Sequence, residues 1–173
     1  MIAEILDLAY DMGIRVLDTA AAYGESEVNL GACGMQRWSV ITKVPSLRGL
    51  GDAAIGKAAH EAVFRSLERL GAERLHVVMA HDWRDAVGDR GRRLHHALAP
   101  LVESGLIGKI GVSVYGPDEL AGIDNINAQI IQAPLNVLDQ RFLTSGAAKR
   151  LNAAGGELYV RSIFLQGLLQ NLY

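Results

Sequence analysis

Cysteine is almost absent from this chain of 173 residues: Cys33 stands alone. A single cysteine excludes an internal disulfide and suits a reducing compartment, where it reads as a small buried residue. Long apolar runs are missing too, since the hydrophobic stretches are strand-sized and fall far short of the ~20 residues of a membrane helix. Charge of one sign is lacking. A formal net charge of −2 and no basic run give no reason to expect nucleic acid or an anionic membrane as partner. Met1 is followed by an amphipathic pattern with acids, unlike a secretory signal. The composition is that of an ordinary soluble α/β protein, and the lone cysteine suits a reducing cytoplasm.

What is present is a regular alternation of two periods. Residues 2–12 read as a helix that Gly13 stops, followed by a strand at 14–20 and a short helix around 26–33. A second strand, "WSVITKV" (38–44), is closed by Pro45. Asp52 is a good N-cap for a helix reaching Leu70 and ended by Gly71. "LHVVMAHD" (75–82) is a third strand, a helix near 90–104 follows, and "KIGVSVY" (109–115) is a fourth. Pro117 and Asp118 start another helix. "IIQAPLN" (130–136) and "ELYVRSI" (157–163) read as the fifth and sixth strands, around a helix near 145–154. No linker or composition break interrupts the chain, so one domain over 1–173 is expected.

Strands alternating with helices through short turns argue for a parallel sheet, either open or closed into a barrel. An open nucleotide-binding sheet wants a Gly-rich turn after its first strand. Here "AAAYGESE" stands in that place. A barrel instead places polar groups at the carboxyl ends of several strands on one rim. That pattern is found. Asp18 lies near the end of the first strand with Tyr23 in its loop, and Lys43 ends the second. His81 and Asp82 end the third, Ser113 and Tyr115 the fourth, Gln132 and Asn136 the fifth, Arg161 and Ser162 the sixth. Period two places Val16 with Asp18, Ile41 with Lys43, and Leu75, Val77 and Met79 with His81 on one face. Singly, each of these residues has an ordinary structural reading. Together they converge on one end of a barrel lumen.

The combination has a chemical sense. A phenol with a pKa of about 10 is a poor acid near neutrality. A neighbouring ammonium makes it more acidic, and a carboxylate paired with that ammonium limits the cost of burying it. A neutral histidine can orient a carbonyl. Such a set can protonate an oxygen gaining negative charge, as in carbonyl reduction by hydride.

At these residues the sequence resembles the aldo-keto reductase family. "LDTAAAYGESE" resembles the family's strand-end Asp and tyrosine loop, "ITKV" its lysine strand and "VVMAHDW" its histidine strand. "GLIGKIGVSVYGPDEL" and "IIQAPLNVLDQRF" are similar to its later strands, whose glutamine meets the nicotinamide amide. The resemblance implies an incomplete TIM-type (β/α)8 barrel, with strands equivalent to the second through seventh and both ends truncated. It implies Tyr23 as proton donor, Asp18 and Lys43 as its tuning pair, and His81 as the carbonyl-orienting group. Ser113 and Gln132 fall at nicotinamide-contacting positions, and Ser162 starts the loop near the pyrophosphate. The implied cofactor is NADP(H), with NAD left open, and the implied substrate is a small aldehyde or ketone. Two positions depart from the family. Val114 stands where many members have Asn. Arg161 stands where many have a Tyr stacked on the nicotinamide, a role that a flat guanidinium can also take.

Other motifs carry less. "GDAAIGKA" (51–58) imitates a phosphate loop but has Ala58 where a hydroxyl is required, so it reads as a helix start. His95 and His96 lie in an Arg-rich helix without a second ligand pair, and no metal site is expected. Trp83 and Tyr115 are candidates for an apolar substrate pocket. Two rival functions stay open: a Schiff-base aldolase using Lys43, and a catalytically silent binding module. Six strands of a barrel leave two apolar edges, at 14–20 and 157–163, from which self-association is expected.

Overall fold

The computed structural model describes residues 1–123 and 127–170. Six strands alternate with helices in the order α1 (Ile2–Asp11), β1 (Val16–Asp18), α2 (Ser26–Gly31), β2 (Ser39–Val44), α3 (Asp52–Leu70) and β3 (Leu75–Ala80). They continue with α4 (Gly88–Glu103), β4 (Ile107–Ser113), β5 (Ile130–Pro134), α5 (Arg141–Thr144), α6 (Ala147–Ala153) and β6 (Glu157–Arg161). All neighbours pair in parallel and in sequence order, β1 to β6, which is the arrangement of an incomplete (β/α)8 barrel. Strands β1 and β6 are its edges.

The period-two alternation of the strands sorts their side chains onto two faces. Val40 and Val44 of β2, Val78 and Ala80 of β3, and Ile110 and Val112 of β4 point outward to the helices. There they meet Val63, Leu67 and Leu70 of α3 and Leu94 and Leu98 of α4. The intervening residues Ile41, Val77, Met79 and Ile130 form a second, smaller cluster in the lumen, closed by Tyr159. Leu75 departs from the expected face. As the first residue of β3 it packs into the outer core with the helices.

Two glycines allow the helix layer to close. Gly71 ends α3 at φ 57°, a left-handed conformation costly for any residue with a Cβ. On α2, a Cβ at Gly31 would lie 2.2 Å from the Arg69 carbonyl oxygen, so only glycine lets α2 reach the end of α3.

The strand bounds differ from those the sequence pattern suggests. Strand β1 covers only Val16–Asp18, although the Arg15 carbonyl and the Thr19 N–H still bond to β2, and β4 is shifted rather than shortened, covering Ile107–Ser113 instead of 109–115. Pro117 starts only a single 3-10 turn, Pro117–Leu120. Cys33 is half-buried rather than buried, its thiol 3.3 Å from the Asn29 carbonyl. The 51–58 stretch is the start of α3, capped by Gly51 and lying beyond the end of β2.

Candidate active site

Lys43 is the most deeply placed charged group of the rim. It lies on the lumen face of β2 with a side chain only 1% exposed. Its Nζ donates to Asp18 Oδ1 at 2.8 Å and to the Thr19 carbonyl at 2.9 Å. Burial pushes the pKa of this ammonium below its usual value, and the Asp18 carboxylate restores part of the loss.

The loop after β1 carries Tyr23 over this pair. Thr19 continues the strand by donating its N–H to the Ile41 carbonyl at 2.9 Å. Tight turns follow, from Tyr23 N–H to the Ala20 carbonyl at 2.9 Å and from Ser26 N–H to the Tyr23 carbonyl at 3.1 Å. The hydroxyl of Thr19 donates to Ser26 Oγ at 3.0 Å and ties the two ends of the loop together. The loop sets the Tyr23 ring 5.3 Å from Lys43 Nζ and 5.8 Å from the His81 ring, which meets it edge to face at 84°. His81 itself is held at the end of β3, its N–H bonded to the Val44 carbonyl at 3.1 Å. Asp18, Tyr23, Lys43 and His81 thus meet at one end of the lumen.

The electrostatics differ from the simple expectation for the phenol. Burial raises the Tyr23 pKa, the Asp18 carboxylate raises it further, and the opposing contribution comes from Arg161. The result is a phenol that stays protonated in the resting site. For His81, burial comes first and the charges of Lys43 and Arg161 follow, and all three lower its pKa. Its imidazole is therefore neutral at neutral pH, with an N–H to offer a carbonyl oxygen.

Ser113, Gln132 and Arg161 complete the wall. Ser113 lies directly opposite Gln132 in the β4–β5 register, and both are buried. Among the described residues, Gln132 Oε1 has no hydrogen-bond partner, and neither does Arg161 Nε. Arg161 reaches across the end of β5 to donate Nη2 to the Val114 carbonyl at 3.0 Å, with its guanidinium 4.4 Å from the centre of the Tyr115 ring. Ser162 lies outside this group. It is exposed at φ 59°, and its carbonyl accepts from Asn136 Nδ2 at 3.2 Å.

A cavity of about 460 Å³ opens beside the rim, lined by Ala22, Ser46, His81, Trp83, Tyr115 and Glu119 among others. A larger one of about 740 Å³ lies outside the sheet between α3 and α4, around Gly56, His60 and His96. None of the rim groups lines it, so the smaller cavity is the one connected to the chemistry. Among the described residues no three His, Cys, Asp or Glu side chains cluster closely enough to hold a metal ion.

Several supporting residues lie outside the rim pattern. Glu27 is buried, accepts from the Thr42 hydroxyl at 2.6 Å and faces Arg69 at 3.5 Å, which locks α2 to β2 and α3. Asp85 accepts from the Leu47 N–H at 2.7 Å and from Arg90 at 2.9 Å, which pins the loop after β2. Their only sequence signal is an acid inside an otherwise ordinary helix start, which is also what a solvated acid looks like.

The chain matches the Aldo/keto reductase family over residues 2–173. It is similar to a Pseudomonas aeruginosa protein assigned to the aldo-keto reductases, with 28% identity and a TM-score of 0.75 over 92% of this chain and 64% of that one. It is also similar to the aldo-keto reductase AKR11C1 from Bacillus halodurans in its apo and holo forms. There the identity is 24% and the TM-score 0.77, over 96% of this chain and 56% and 57% of those chains. The chain therefore spans less than two thirds of the length of these relatives. No curated protein sequence matches it significantly. Among the described residues, no helix is long and apolar enough to cross a membrane.

Proposed function

Because this chain belongs to the aldo/keto reductase family, we propose that it serves the NAD(P)H-dependent reduction of an aldehyde or ketone to an alcohol, with Tyr23 as the proton donor. The observation that carries this reading is the meeting of Tyr23, Lys43, Asp18 and His81 within one rim, around a buried ammonium. The buried polar atoms without partners fit the cofactor. Gln132 Oε1 is an acceptor and Arg161 Nε–H a donor, on adjacent strands. A primary carboxamide such as that of nicotinamide offers the complementary donor and acceptor, and burial makes leaving either atom unpaired costly. When bound, the nicotinamide supplies the hydride.

The protein's own groups handle the oxygen. His81 donates an N–H to the carbonyl oxygen and orients it over the Tyr23 hydroxyl. As the carbonyl carbon accepts hydride, the electron pair of the C=O π bond moves to oxygen, and the phenolic proton of Tyr23 completes the alcohol. The raised pKa of Tyr23 keeps the proton in place beforehand. Proton transfer still runs downhill, because an alkoxide is a far stronger base than a phenolate. Lys43 lies beneath the ring and Asp18 holds Lys43, so the pair fixes the position of the donor. Solvent returns the proton to Tyr23.

Lys43 as a Schiff-base nucleophile is the weaker reading. Its nitrogen is committed to Asp18 and the Thr19 carbonyl, contacts that favour the ammonium over the free amine. Borohydride trapping with a carbonyl substrate tests it directly, and no adduct is expected.

Fluorescence titration with NADPH and with NADH tests binding and sorts the two cofactors. Consumption of bound NADPH by a panel of aldehydes, with protein in excess, tests the chemistry in a single turnover. Saturable quenching followed by aldehyde-dependent oxidation is expected. A chain that binds neither cofactor is a silent module, and the reductase reading falls.

A further inference from the structure

Among the described residues, Arg161 differs from the other cations of the rim in having no carboxylate partner. Lys43 is paired with Asp18, and Asp82 with Arg84. Glu119 accepts from the Tyr115 N–H, and Arg141 pairs with Asp139 while donating to the Tyr115 carbonyl. Arg161 makes one hydrogen bond, to the Val114 carbonyl, stacks on Tyr115 and leaves Nε buried without a partner. Its charge nevertheless reaches Tyr23, Lys43 and His81 and acts on all three in the same direction. Arg161 is thus an unpaired cation beside these three groups, while Glu119, whose carboxylate accepts a backbone N–H and meets no cation in an ion pair among the described residues, balances it only in the overall charge of the rim.

The position of that cation is specific. Arg161 lies opposite Pro134 in the β5–β6 register, and its guanidinium spans the end of β5 to reach β4. The Val114 N–H, just past the end of β4, is in turn bonded to the Gln132 carbonyl at 2.8 Å. A ring held through its carboxamide at Gln132 would lie beside the guanidinium.

We propose that Arg161 sets the redox preference of this site, making it hold the neutral reduced nicotinamide ring more tightly than the cationic oxidised one. The inference rests on the reductase reading above. An uncharged, electron-rich dihydronicotinamide attracts a guanidinium through its π face, whereas the oxidised ring carries a positive charge that a nearby unpaired cation repels. The rest of the dinucleotide is the same in both forms, so its contacts cancel in the ratio of affinities. The oxidised cofactor then leaves readily after each turnover, which favours reduction over alcohol oxidation when both forms are present.

The test is the ratio of dissociation constants for NADP⁺ and NADPH, measured by titration of the wild-type chain and of Arg161→Gln, Arg161→Met and Arg161→Lys. The wild type is expected to favour NADPH by about tenfold or more, the size of effect that one partly screened charge produces. Removing the charge in the Gln and Met variants should lower that ratio by about tenfold, chiefly by tightening NADP⁺, while the Lys variant keeps most of it. A repulsion between charges predicts this split, whereas a purely structural role for Arg161 would shift both affinities together. Binding of both forms with an unchanged ratio in the Gln and Met variants overturns the inference and leaves the reductase reading intact. Failure of the wild type to bind either form overturns both.

Discussion

The lumen has a lysine–carboxylate pair at each end, and the two pairs behave oppositely. At the carboxyl end of the strands, Lys43 meets Asp18 with the lysine side chain 1% exposed. At the amino end, Lys109 meets Glu157 with exposures of 35% and 45%. Burial dominates the first and pushes the ammonium pKa down. The hydrogen bond to Glu157 dominates the second and pushes the ammonium pKa up. The same two functional groups make a desolvated pair in one place and an ordinary surface pair in the other. The difference is access to water, since screening removes most of the energy of an exposed pair while a buried ammonium depends on its few protein contacts. This matches the division of labour in barrel enzymes, where chemistry sits at the carboxyl ends of the strands.

The contrast is broken most forcefully through the two tyrosines. Tyr23 lies over the buried pair, while Tyr159, at the other end, has its hydroxyl 3.5 Å from His76 Nε2. Tyr23→Phe should slow single-turnover NADPH oxidation by at least about a hundredfold, the usual contribution of a general acid, with cofactor affinity retained. Tyr159→Phe should leave the rate unchanged. Equal rates in the two variants would remove Tyr23 from the mechanism.

Stability gives the next largest effect. Asp18→Asn strands the Lys43 ammonium in a buried site, at a cost toward the lower end of about 3–5 kcal/mol because Asp18 itself is partly exposed. Glu157→Gln should cost about 0–1 kcal/mol, as expected of an exposed pair. Urea unfolding of the two variants compares them, and similar midpoints would show that the Lys43 pair is solvated too.

A smaller effect concerns pH. The folded-state pKa of His81 lies below the ordinary 6.5, because burial and the Lys43 and Arg161 charges oppose its protonation. Between that lowered value and 6.5 the unfolded chain binds more protons than the folded one, so stability falls as pH drops through this window. Thermal melts of wild type and His81→Gln across pH 7 to 5 should diverge, with the variant less sensitive to acid. Parallel curves would mean that His81 is freely solvated.

The smallest effect separates edge from centre. Val16 on β1 and Val160 on β6 are 41% and 37% exposed, whereas Val40 and Val78 on the inner strands are buried. Open apolar edges invite pairing between chains. Lysine at Val160 should lower the apparent mass in light scattering without changing NADPH affinity. An unchanged monomeric mass in wild type and variant would show that the edges are protected.

Much of this was legible in the residues. Helix α3 ends at Leu70 as Gly71 predicts, because a left-handed glycine is a local effect, whereas Asp52 is its first helical residue and not the N-cap, which is Gly51 without a side-chain bond. Strand ends were less legible. A strand residue that loses its partner, like Ile14 or Ala20, keeps the same side chain, so apolar character overestimates pairing in β1. The convergence of Asp18, Lys43 and His81 could be read from period two and strand ends alone. The buried Glu27 and Asp85 could not, because nothing local distinguishes a buried acid from a solvated one.

The sequence by itself determined the βα alternation, the parallel sheet and the order in which rim residues arrive, since those follow from periodicity and from turns a few residues long. Only the tertiary structure decided how the rim is charged. It made Tyr23 a weaker acid rather than a stronger one, because desolvation and the nearby Asp18 outweigh the cation that opposes them. It also left Arg161 without a carboxylate partner among the described residues, while bringing its charge to bear on Tyr23 after β1, Lys43 on β2 and His81 after β3. Both results depend on depth from solvent and on distances between residues far apart in the chain, and neither quantity is written in any local stretch of residues.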